Sequence, residues 1–145
     1  MKKNIIRGAI LAALLSTTAL ADTSSMNSSV TGMGILENDY VRAGVNGTSG
    51  TLGSGGNTSP GLLYDSTGSG TFNTSYDYLT PGSPFDGFAI KIDGTNSTNN
   101  NQGNGPWVDA DGLTNGDNSL TWTGTNKAHS GWEIENTYSL GATAE

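Results

Sequence analysis

No window of this chain after residue 21 holds apolar residues at helical spacing for long enough to build an amphipathic helix. The composition explains why. Glycine, serine, threonine and asparagine fill about half of the sequence, and 22 residues are glycine. Glycine costs about 1 kcal/mol against alanine in a helix interior. Serine and asparagine side chains compete with helical backbone bonds. The same residues suit tight turns between short strands.

Apolar alternation marks the strands. Val41, Ala43 and Val45 share one face, and Asn46-Gly47 follows as a hairpin turn signal. Phe88, Ile90 and Ile92 share a face against Ala89, Lys91 and Asp93. Leu120 and Trp122 alternate with Ser119, Thr121 and Thr123. Trp132, Ile134, Tyr138 and Leu140 fall on one face, with Asn136 interrupting it. About seven or eight such segments, with turns at intervals near ten residues, predict an all-β chain built as an antiparallel β-sandwich. A lipid-facing barrel fits less well, because repeated strands of about ten residues with aromatic girdles are missing. The last strand runs into Gly141 to Glu145 without a turn. Two readings stand: a stop after the final strand, or a sandwich incomplete at its C-terminus that continues beyond residue 145.

The first 21 residues read as a secretory signal peptide. Lys2, Lys3 and Arg7 are the positive region, residues 9–15 the apolar run, and Ala19-Leu20-Ala21 the cleavage site. The apolar run is too short to span a bilayer, which needs about 20 residues. The expected organisation is a signal peptide over 1–21, a flexible polar leader over 22–29 and a sandwich domain over 30–145. The expected location is outside the cytoplasm: extracellular, cell surface or periplasm. Cleavage leaves Arg42, Lys91 and Lys127 against thirteen acids, a net charge of −10. Nucleic acid is an unsuitable partner for such a chain. The chain has no cysteine, so an exported domain must rely on its core or on metal ions.

Two loops stand out. Tyr76 to Gly87 mixes aromatics with Pro81 and Pro84 and is expected to be an ordered loop with its aromatics packed inward. Gly94 to Gly105 has no apolar residue and is expected to be a low-complexity loop outside the core.

The strongest metal candidate is the acidic stretch Asp109 to Asn118. Asp109, Asp111 and Asp117 supply hard oxygen ligands of the kind calcium takes. The Asp-x-Asp-Gly start resembles calcium loops of the EF-hand and dockerin type. Leu113 and Leu120 stand where that pattern needs ligands, so only a looser calcium loop is expected. Asp and Asn beside Gly also make ordinary turns. Trp107 and Trp122 are candidates for stacking on a sugar ring, as are Tyr76, Tyr78 and Trp132; burial in the core is the competing role for all of them. His129 is the only histidine and has no nucleophile motif beside it. Glu133 and Glu135 sit two apart on one strand face and read as a solvated outer surface.

Some segments carry a family resemblance. Gly50 to Gly56, Leu63-Tyr64-Asp65 and Asp77 to Phe88 resemble segments near the start of long exported or surface bacterial proteins of unassigned function. Glu37 to Arg42 is similar to the opening strand of β-supersandwich domains in carbohydrate-active enzymes. These matches cover under half of the chain after residue 21, and they transfer no catalytic residue.

The expectation is therefore an exported, non-enzymatic binding or structural module with a glycan or protein partner at the cell surface. A carbohydrate-binding accessory domain of a secreted carbohydrate-active enzyme is the alternative. Calcium is the one cofactor to consider.

Overall fold

The computed structural model describes residues 4–12, 23–26, 32–53, 60–79, 86–100 and 108–141. The chain is all-β, as the alternation predicts. The strands are β1 (Asn4–Ala12), β2 (Thr23–Met26), β3 (Met33–Glu37), β4 (Val41–Asn46), β5 (Leu62–Tyr64), β6 (Gly87–Ile92), β7 (Thr95–Asn100), β8 (Val108–Gly116), β9 (Ser119–Asn126) and β10 (Trp132–Leu140). A 3₁₀ turn, Thr74–Tyr76, lies between β5 and β6. One four-stranded sheet has the order β1-β10-β9-β8, a second has β2-β3-β4-β5, and β6 and β7 form a separate hairpin. Every pairing between these strands is antiparallel except β1 with β10, which is parallel.

The core forms from both four-stranded sheets. Leu36, Val41, Ala43 and Val45 come from one; Val108, Leu113, Leu120, Trp122, Ile134, Tyr138 and Leu140 come from the other. The sheets approach so closely at Gly34 that an added Cβ would meet Leu120 Cδ1 at 2.8 Å and Leu113 Cδ2 at 3.0 Å. The two four-stranded sheets thus face each other across a shared core.

The turn after β4 reaches into this core. Asn46 Oδ1 accepts from the amides of Thr48 and Ser49 and so shapes the turn. Four side chains from other strands then hold its carbonyl oxygens. Trp122 Nε1 donates to Gly47 O at 2.9 Å, and Asn99 Nδ2 donates to Ser49 O at 3.0 Å. Asn136 Nδ2 and the Tyr138 hydroxyl both donate to Gly50 O, at 3.0 and 2.9 Å. Gly50 has φ +68°, and a Cβ there would collide with the Trp122 ring. Only glycine meets both conditions.

Several expectations are corrected. Asp109 to Gly116 is not a loop but most of β8, and only Asp117-Asn118 turns between β8 and β9. A bulge hid the strand. Ala110 pairs with Gly124 and Gly112 pairs with Thr123, so Asp111 is the extra residue. That extra residue keeps Val108 and Leu113 both buried, which strict alternation forbids. Residues 95–100 are likewise not a loop but β7. The turn Asp93-Gly94 has φ +47° and +86°, the positive-φ pair of a tight hairpin. Ser97 and Asn99 of β7 are buried, 2% and 1% exposed. Their burial is satisfied by hydrogen bonds: Asn99 brackets the backbone of Val108, and Asn126 Nδ2 donates to Ser97 Oγ at 3.0 Å. The polar stretch expected as a flexible leader carries β2, paired with β3. The apolar run of the expected signal peptide overlaps β1.

Candidate binding face

The loop from β5 to the 3₁₀ turn is shaped by two aspartates. Asp65 accepts from the Thr67 amide and hydroxyl at 2.8 and 2.6 Å, from the Ser69 amide and hydroxyl at 2.8 and 2.7 Å, and from the Thr71 amide at 3.3 Å. Gly68 and Gly70, with φ +64° and +70°, let the chain wrap the carboxylate. The Thr67 and Ser69 hydroxyls, backed by the amides, hold the Asp65 carboxyl well below the usual range. Asp65 is thereby saturated as an acceptor. The loop folds onto the outer side of the sheet, where the Arg42 guanidinium lies 4.9 Å from the Phe72 ring centre.

Asp77 is the second clamp. Its Oδ2 accepts from Gly61 N at 2.6 Å, and its Oδ1 accepts from Leu62 N and Leu79 N, each at 2.9 Å. Tyr78 N donates to Leu62 O at 2.9 Å, which ties this segment to β5. Asp77 is buried, while the residues on either side of it, Tyr76 and Tyr78, are 74% and 61% exposed, and Tyr64 on β5 is 44% exposed. Asn73 Oδ1 caps the 3₁₀ turn beneath them by accepting from Ser75 N. Three tyrosines are therefore displayed on backbone that buried carboxylates hold in place. For Tyr76 and Tyr78 this corrects the expectation that the aromatics of this loop pack inward; Phe85 lies outside the described residues. The Tyr-Asp-Tyr order was legible, but burying the aspartate rather than the tyrosines is the rarer outcome.

The expected calcium ligands are not brought together. Asp109 pairs with Lys127 Nζ at 2.8 Å, and Asp111 accepts from the Thr125 hydroxyl at 2.6 Å. Asp117 sits at the far hairpin tip, about 20 Å from Asp111 at the usual rise per strand residue. Among the described residues no group of three His, Cys, Asp or Glu side chains is arranged to hold a metal ion.

Trp122 is fully buried, and its ring centre lies 6.0 Å from that of Phe88. It closes the core and offers no face to a sugar. Trp107 lies outside the described residues. His129 is half-buried, its amide donating to Asn126 Oδ1 and its Nε2 buried without a hydrogen-bond partner. Glu133 and Glu135 register with Thr125 and Thr123 of β9. Burial pushes the Asp86 carboxyl up, against hydrogen bonds from Leu52, Gly87 and Tyr138. That group sits at the clamped β4 turn and is structural.

No family model, curated protein or solved structure matches this chain. Among the described residues no helix is long and apolar enough to cross a membrane.

Proposed function

We propose that this chain is an exported, non-enzymatic module that binds a partner at the bacterial surface or in the extracellular space. The reading is supported by three exposed tyrosines. Tyr64, Tyr76 and Tyr78 are exposed on a segment fixed by Asp65 and Asp77. Both acids are occupied with backbone amides, and Asp65 also with the Thr67 and Ser69 hydroxyls. A rigid aromatic display costs little ordering entropy on binding. The leader motif, with Lys2, Lys3, Arg7 and Ala19-Leu20-Ala21, supports export.

The tyrosines also favour the second reading, a carbohydrate-binding accessory domain. Exposed rings with a hydroxyl at the tip suit the apolar face and polar rim of a sugar. A glycan array separates the two. Specific glycan binding that Tyr76→Ala and Tyr78→Ala abolish, with the melting temperature unchanged, selects the carbohydrate reading. Absence of glycan binding selects a protein partner. Catalytic turnover of any bound glycan overturns the non-enzymatic reading.

A further inference from the structure

β10 has β9 on one side and β1 on the other, and β1 is the outermost strand of its sheet. The parallel pairing covers nine register positions, from Asn4↔Trp132 to Ala12↔Leu140. The residues seated there are the start of the leader, Asn-Ile-Ile-Arg-Gly-Ala-Ile-Leu-Ala. Removal of residues 1–21 would strip this strand and leave a row of β10 amides and carbonyls unpaired. That edge has little of the usual protection. β10 contains no Pro, Lys or Arg, its charges are Glu133 and Glu135, and its pairing with β9 has no bulge. The opposite edge, β8, is broken by a bulge. Beside the C-terminal end of β10 lies an apolar cavity of about 150 Å³, lined by Leu36, Val41, Ala43, Leu62, Tyr138 and Leu140 among others.

We infer that the β10 edge of the exported chain is a strand-acceptor site. It takes an extended, largely apolar segment of nine residues, parallel to β10, in the seat of residues 4–12. This rests on the leader reading proposed above. The occupant's chemistry follows from the seat. Backbone bonds to β10 supply affinity for any extended chain. Every second residue of the incoming strand falls on the face that Ile134, Tyr138 and Leu140 share, so those positions are apolar. A cation suits the position level with Glu135, where the register sets Arg7. The leader is then the domain's own temporary strand, and its cleavage opens the site.

The test uses the full chain carrying Gly8→Pro and Ala9→Pro together. In a parallel strand, adjacent residues aim their backbone groups to opposite sides, so one of this pair must face β10. The variant is expected to melt below the parent. A synthetic peptide of residues 4–12 is expected to bind it saturably and restore the melting temperature. The parent chain, with its edge filled, should not bind the peptide. A scrambled peptide should not rescue the variant. A peptide carrying Arg7→Glu should bind about two- to fivefold more weakly, the cost of like charges directly opposite. If the variant melts like the parent, or the scrambled peptide rescues equally, the inference is overturned. A variant that fails to fold alone but folds with the 4–12 peptide, and not with the scrambled one, supports it. N-terminal sequencing of the exported chain judges the leader reading separately. Export with cleavage after Ala21 but no peptide binding overturns the acceptor site alone. Peptide rescue without export overturns the leader reading alone.

Discussion

The Tyr138 hydroxyl donates to the Gly50 carbonyl oxygen at 2.9 Å, joining the last core strand to the turn after β4 across 88 positions of sequence. Asn136 reaches the same oxygen. Tyr138→Phe leaves that carbonyl one donor and should cost about 1 kcal/mol. Adding Asn136→Ala leaves it with neither and should bring the total to about 2–3 kcal/mol. Urea unfolding of the single and double variants measures both. An additive cost near zero would show that the turn is held by other means.

Gly50→Ala combines a positive φ with a collision against the Trp122 ring. The expected loss is about 2–4 kcal/mol. Gly131→Ala is the control, since a Cβ there meets nothing within 4 Å. It should stay within about 0.5 kcal/mol of the parent.

Asp86 sets a pH dependence of one sign. Burial raises its folded-state pKa above the unfolded value of 3.8. The contribution to stability is therefore full below the unfolded value and is lost as pH rises through the folded value. Asp86→Asn keeps an acceptor for Leu52 N, which Asp86 Oδ2 takes at 2.6 Å. The variant should lose this pH-dependent segment and be no less stable than the parent at pH 7. Melting temperature against pH, parent beside variant, checks it.

Asp65 has the opposite sign. Its folded-state pKa is lowered, so its contribution is present above the unfolded value of 3.8 and is lost as pH falls through the folded value. Asp65→Asn should flatten the acid limb of the stability profile. It should also raise hydrogen exchange at the Thr67 and Ser69 amides at pH 7. Unchanged exchange at both would show that the carboxylate does not order the loop.

Millimolar calcium should leave the melting temperature unchanged, because Asp117 is separated from Asp109 and Asp111 along the length of β8. Asp111→Ala loses only the Thr125 contact and should cost less than about 1 kcal/mol. A calcium-dependent rise abolished by Asp111→Ala would show that the hairpin rearranges to chelate.

The strands with clean alternation were legible in the sequence. Ser119 to Asn126 buries Leu120, Trp122, Gly124 and Asn126 in strict alternation, and Phe88, Ile90 and Ile92 sit on one face of β6. What was not legible is polar residues doing the work of apolar ones. Ser97 and Asn99 look like low-complexity loop, and only their partners in distant segments make burial affordable. Asp93-Gly94 was the available signal for that hairpin. The exposure of the tyrosines was hidden for a related reason. Leu63 and Asp77 are buried at neighbouring levels, and the aspartate is satisfied by amides that local pattern does not assign to it.

The β8 bulge has a consequence for chain length. Asp111 faces no partner in the ladder, because Ala110 and Gly112 pair with consecutive residues of β9. A chain shortened by Asp111 would keep every remaining pair of that hairpin in register and return Val108, Ala110 and Leu113 to plain alternation. A chain shortened by Asp109 would instead turn Val108 out of the core. Natural variants one residue shorter in this strand are thus expected to have lost the residue at 111 or its neighbour Gly112, and to fold on the same register as this one.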